Sequence, residues 1–278
     1  MNLMSDGTGC FSFADEPTGK SLTVRYHRPA GSGAETPLVL LLHGSDRAAA
    51  YFLTCWSEHA DKYGFVLAAP EFDDRAFPGG EAYNYGNVQS ADGPEGTFNP
   101  PHLWTYAILD RLLDCIRRRG SGAPAKCCLF GHSAGAQFAH RYLALTGGRG
   151  VDFAVLANAG WYMLPDPGTA YPAGVGGLEV SRSSLDEYLG RAVALLLGED
   201  DVDENDPGLA PFPAARAQGR HRLARGQYYF AHCRDAAGRR GVPFGWRIVT
   251  APGVGHRDDH VSGPGAALIA EYLSRENR

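Results

Sequence analysis

The sequence has no long apolar run: stretches such as Leu38 to Leu42 span five residues, far short of the roughly 20 that a membrane-crossing helix needs. It has no excess of basic charge either. With 26 Lys and Arg against 31 Asp and Glu, the formal net charge is −5 and the pI about 6.0, so nothing resembles a stripe that neutralises phosphates, and nucleic acid is excluded as an expected partner. The short run Arg117, Arg118, Arg119 reads as the basic end of a helix. Residues Met1 to Asp6 lack a basic region followed by an apolar stretch, so no secretion signal is read there and a cytoplasmic location is expected. The six cysteines show no CxxC spacing and no companion histidine at zinc-ligand distance, which excludes a metal framework. Cys127 and Cys128 sit in an apolar segment and read as buried thiols.

What is present suits an ordinary folded chain. Of 278 residues, 44% are hydrophobic and 21% charged, enough apolar material for one large α/β domain spanning 1–278. Pro37 to Leu42, Phe65 to Ala69, Lys126 to Phe130, Phe153 to Leu156, Ala192 to Leu197 and Trp246 to Val249 read as short strands, with Pro37 to Leu42 and Lys126 to Phe130 apolar enough to be buried within the sheet. Between them, Ala48 to Tyr63, Leu103 to Arg119, Ala134 to Leu145 and Ala214 to Gly241 carry helical periodicity, and Ala266 to Leu273 closes the chain as a helix. The βαβα alternation implies a mostly parallel central sheet with helices on both faces. Residues 11–28 precede it and read as an antiparallel hairpin at the sheet edge. Two irregular insertions, Pro70 to Pro101 and Pro165 to Gly177, are longer than a compact crossover requires.

Chemistry concentrates at Gly131-His132-Ser133-Ala134-Gly135, a G-x-S-x-G set between a buried strand and a helix. The glycines permit the steep strand-to-helix turn, which thrusts the serine hydroxyl outward. The helix N-terminus adds free N–H groups, among them that of Ala134, which can donate to a developing oxyanion. A serine is a poor nucleophile without a base, so the pattern requires a histidine on a later loop at the carboxyl edge of the sheet. His256, following Ala251-Pro252-Gly253-Val254-Gly255, meets that requirement, with His260 as the competitor. The acid is expected after Ala192 to Leu197, where Asp201 is preferred to Asp200 and Asp203. Ser45, after His43-Gly44, is the expected second oxyanion donor through its backbone, and His43 is expected to brace that loop. Asp258, Asp259 and His260 read as a solvated acidic loop rather than a cation site.

These residues resemble the α/β-hydrolase superfamily, and within it the esterases of the poly(3-hydroxybutyrate) depolymerase and dienelactone-hydrolase-like groups. The resemblance rests on Leu42-His43-Gly44, Gly131 to Gly135, Gly198-Glu199-Asp200-Asp201 and Gly255-His256, in that order along the chain. It implies a Ser-Asp-His triad of Ser133, Asp201 and His256 that cleaves carboxylic esters through an acyl-enzyme, with no metal or organic cofactor. It also implies that Trp161, in Ala159-Gly160-Trp161-Tyr162, walls the acyl pocket, with a core tryptophan as the alternative. Tyr83, Tyr85, Phe98 and Tyr171 of the insertions are further candidates for aromatic walls. The expected partner is a small or oligomeric ester; a peptidase, amidase or thioesterase of the same fold, or a non-catalytic binding protein on this scaffold, are the alternatives.

Overall fold

The computed structural model describes residues 4–90, 97–119, 124 and 126–276; Met1 to Leu3, part of the N-terminal signal reading, and 91–96 of the first insertion lie outside them. The chain runs β1 (Gly7–Asp15), β2 (Lys20–Arg28), β3 (Leu38–Leu42), α1 (Ala49–Tyr63), β4 (Val66–Glu71) and α2 (Gly79–Ala82). It continues through α3 (Thr105–Arg119), β5 (Cys127–His132), α4 (Ala134–Thr146), β6 (Phe153–Ala157), α5 (Arg182–Gly190) and β7 (Val193–Gly198). The last elements are α6 (Pro213–Arg216), α7 (Arg222–Arg240), β8 (Trp246–Ala251) and α8 (Asp258–Glu276).

Among the described residues, one sheet of eight strands runs in the order β1-β2-β4-β3-β5-β6-β7-β8. β1 and β2 pair antiparallel, β2 also meets β4 antiparallel, and every pairing from β4 through β8 is parallel. The expected edge hairpin and parallel centre are thus both found. Successive side chains of a strand point to opposite faces, and β3 shows why its run is wholly apolar: Leu38, Leu40 and Leu42 enter one core and Val39 and Leu41 the other. The first core also takes side chains from α3, α4, α5 and α7, while α1 and α8 cover the second through Phe52, Trp56, Val261 and Ile269.

Two helical readings are corrected. The periodic stretch Ala214 to Gly241 divides into α6 and α7, separated by residues that include Gly219 at φ 146°. The closing helix begins at Asp258 rather than Ala266 and carries Pro264 within it. All six cysteines are free, and Cys115, Cys127, Cys128 and Cys233 are buried. Among the described residues no helix is long and apolar enough to cross a membrane.

Candidate active site

Four loops converge at the carboxyl ends of β3, β5, β7 and β8, where ligands of open parallel sheets gather. Ser133 sits between the last residue of β5 and the first of α4 at φ 55°, ψ −115°, a conformation rare for a residue with a side chain. The turn closes only because its neighbours are bare. A Cβ on Gly131 would lie 2.3 Å from the Gly135 carbonyl oxygen, and one on Gly135 would lie 2.0 Å from that of Leu42.

The Ser133 hydroxyl lies 3.0 Å from His256 Nε2, and His256 Nδ1 lies 2.7 Å from Asp201 Oδ2. With Nδ1–H donating to the carboxylate, Nε2 keeps the lone pair that accepts from the serine. Asp201 is 3% exposed, whereas Asp200 and Asp203 are both exposed, and Asp203 accepts the Asn205 N–H. The carboxylate on His256 is therefore Asp201.

Backbone contacts hold the acid and histidine loops together. Glu199 N–H donates to Ala251 O at 3.1 Å and Asp200 N–H to Val254 O at 3.0 Å. Asn158, at φ 47° beyond β6, accepts the Gly198 N–H and donates to Gly255 O. Behind Asp201, the buried Arg222 Nη1 lies 3.4 Å from Asp201 Oδ1 and 2.7 Å from Asp206 Oδ2. Burial holds His256 below the ordinary histidine pKa; the Asp201 hydrogen bond raises it, and His132 and Arg222 lower it.

A cavity of about 410 Å³ opens over Ser133 and His256. Ser45 and Gly44 line it, and Ala134, as the first residue of α4, has no intrahelical acceptor for its N–H. His43 braces this loop as expected: Nδ1–H donates to Gly44 O at 2.9 Å, Nε2 accepts the Phe72 N–H at 3.1 Å, and the ring stacks on Tyr83. Trp161 does not line this cavity. It is 1% exposed, donates its indole N–H to Tyr85 and packs edge-on against Tyr85 and Phe212. Tyr83, Tyr85, Phe98 and Tyr171 are likewise absent from its walls; Phe98 and Tyr171 pack on each other.

Sequence reasoning missed Tyr51 and Asp46 of the cavity wall, and Arg222 behind the acid. It also misread Asp258, whose carboxylate is not a solvated face but lies 2.6 Å from His132 Nδ1. Among the described residues no group of three or more His, Cys, Asp or Glu side chains is placed to hold a metal ion.

A parallel sheet with an antiparallel edge, a serine on a strained strand-to-helix turn and an Asp-His-Ser hydrogen-bonded chain at its carboxyl end define a protein of the α/β-hydrolase class. Neither family models nor curated proteins give a match to the sequence. Solved structures do. Poly(aspartic acid) hydrolase-1 from Sphingomonas sp. KT-1 superposes with a TM-score of 0.89 at 31% identity, covering 95% of this chain and 99% of that one. A poly(3-hydroxybutyrate) depolymerase from Bordetella parapertussis gives 0.89 at 33% identity, covering 95% and 90%. An S-formylglutathione hydrolase from Agrobacterium tumefaciens gives 0.61 at 17% identity over 98% and 99%, a likeness of fold alone. The chain belongs to the α/β-hydrolase superfamily, among its serine hydrolases.

Proposed function

We propose that this protein hydrolyses carboxylic esters through an acyl-enzyme on Ser133. The observation that carries the reading is the unbroken relay from Asp201 Oδ2 through His256 to Ser133 Oγ, with links of 2.7 and 3.0 Å. The Ser133 proton passes to His256 Nε2 as Oγ bonds to the ester carbonyl carbon, and the carbonyl oxygen becomes an oxyanion that the backbone N–H groups of Ser45 and Ala134 stabilise. Collapse breaks the bond to the alkoxy oxygen, which leaves as the alcohol with the proton from His256. Water, deprotonated by His256, then releases the acid and restores the serine. Asp201 fixes the tautomer and offsets the imidazolium charge.

The cavity bears on the substrate. Its walls hold Asp46, Asp258 and Asp259 against Arg257, which is itself paired with Asp259, so an uncharged ester is favoured over a polyanion. An oligomeric hydroxyalkanoate fits that character, and similarity to the Bordetella depolymerase supports it. Hydrolysis of amide links in oligomeric poly(aspartic acid) is a second reading, supported by similarity to the Sphingomonas enzyme. The acidic wall argues against it.

The test is a nitrophenyl ester panel of increasing acyl length, followed by 3-hydroxybutyrate oligomers and oligo-aspartate, for native protein beside Ser133→Ala. Native protein is expected to cleave the esters, insensitive to a chelator. The variant, folded by circular dichroism, is expected to lose a factor on the order of 10⁴ or more in turnover. Full activity in Ser133→Ala, or an inert native protein across every ester, overturns the reading; cleavage of oligo-aspartate alone selects the second.

A further inference from the structure

The residue just before the nucleophile has a carboxylate of its own. His132 ends β5, is 3% exposed, and its Nδ1 lies 2.6 Å from Oδ1 of Asp258, the first residue of α8. The His132 ring lies 4.8 Å from the His256 ring at an interplanar angle of 42°. His132 Nε2 is buried with no hydrogen-bond partner, so the Nδ1 link to Asp258 is the polar contact that orients this imidazole. Asp258 stands two residues beyond His256. Its link to His132 therefore ties the loop bearing the base to the turn bearing the nucleophile, at a point beside the 3.0 Å contact between them.

We propose that His132 and Asp258 form a second histidine–carboxylate pair that positions His256 against Ser133, with His132 and Asp258 as positioning residues in ester hydrolysis. Asp201 fixes the His256 ring through Nδ1; the His132 ring supplies the surface against which it lies, and Asp258 holds that surface in place. Misplacing a reacting group by about 1 Å can cost on the order of a hundredfold in rate, so the tie acts on turnover rather than on substrate capture. The proposal rests on the triad reading above.

Four variants test it: His132→Phe, which keeps a ring and deletes the donor; Asp258→Ala, which deletes the acceptor; their double variant; and His132→Asn, whose amide N–H can still donate to Asp258. With a short nitrophenyl ester, His132→Phe and Asp258→Ala are expected to lose roughly ten- to hundredfold in kcat at little-changed KM, the double variant no more than either, and His132→Asn, which keeps the donor but not the ring, to recover part of the loss. The acid limb of kcat/KM gives a readout that simple packing would not move. In His132→Phe it shifts to higher pH, because a group that opposes charge on His256 is gone. The other charged and titratable groups facing this corner include Asp46, Tyr51, Cys55, Arg257 and Asp259 on the cavity side and Asp201, Arg222 and Asp206 behind His256; all remain in that variant. Folded His132→Phe and Asp258→Ala within threefold of native kcat, with an unmoved limb in His132→Phe, overturn the proposal, as does a loss that vanishes at lower temperature where the variants are fully folded. If the native protein turns over no ester, the esterase reading falls separately. Histidine ¹⁵N–¹H spectra then decide the tie: an Nδ1-protonated His132 whose loss moves the His256 resonances supports it, and unmoved His256 resonances reject it.

Discussion

At the residue scale, His256, the proposed base, is tuned by groups on either side of it. Burial is the largest effect on His256 and lowers its pKa, so the acid limb of kcat/KM should have its midpoint below the ordinary histidine value of 6.5. Arg222 contributes to that depression from behind Asp201 while sharing its guanidinium with Asp206. Replacing it in Arg222→Met removes one partner of a buried charge cluster. The expected result is a stability loss of roughly 3 kcal/mol, a lower kcat because Asp201 is less firmly held, and a limb moved to higher pH because a cation near His256 is gone. Thermal melts and a pH–rate profile check all three, and a limb that stays in place would refute the electrostatic role.

At the scale of elements, close approach between β3 and α4 shapes the turn that carries Ser133. Gly135→Ala drives a Cβ into the Leu42 carbonyl of a central strand, where nothing can yield, and should cost about 3 kcal/mol or more. Gly226→Ala meets only the far end of the Leu197 side chain at 2.4 Å and should cost roughly 1 kcal/mol. Urea melts that rank the two in the opposite order would show that β3 and α4 can separate. Strands β3, β5 and β7 were readable because each is a short run buried on both faces, and Ser133 and Asp201 because each follows such a strand; His256 follows β8, an edge strand that is only partly buried, and was found from the Gly-rich connection before it. Helix α5 was not read: among Arg182–Gly190 only Leu185, Tyr188 and Leu189 are buried, although Ser181 capping the Ser184 N–H was a visible start signal. The start of α8 was misread because Gly263, Pro264 and Gly265 look like a break; Gly265 is there because a Cβ would strike the Phe130 ring at 2.3 Å. The link from His132 to Asp258 joins residues 126 apart in sequence. No local pattern announces such a contact, and Arg222 behind Asp201 was hidden for the same reason.

At the scale of the whole molecule, two buried histidines make stability depend on pH. His43 donates and accepts as described above, and His140 does the same with Ala136 O and the Met163 N–H, each at 2.9 Å. Both serve as neutral struts: burial pushes His43 down to about 4 and His140 well below the ordinary value of 6.5. Unfolding returns each to water, where it binds a proton below about pH 6.5. Between that value and the folded pKa the unfolded chain holds more protons than the native one, so stability is fully present above pH 6.5 and falls as pH drops. For His43 alone the loss on reaching pH 4 is roughly 3 kcal/mol. Asp15 and Asp206, whose pKa values are lowered in the fold, extend the loss to still lower pH. Near pH 5.5 these two histidines together should contribute about 2 protons taken up on unfolding, or about 2.5 kcal/mol per pH unit, and His59, His232 and His256, also lowered by burial, add to that slope. Urea unfolding from about pH 7.5 to 4.5, for native protein beside His43→Gln and His140→Gln, measures the share that each of the two contributes. Stability that stays level from pH 7 to 5 would mean that these imidazoles are protonated in the native state, and the brace that His43 gives the Gly44–Ser45 loop would need a different hydrogen-bond pattern.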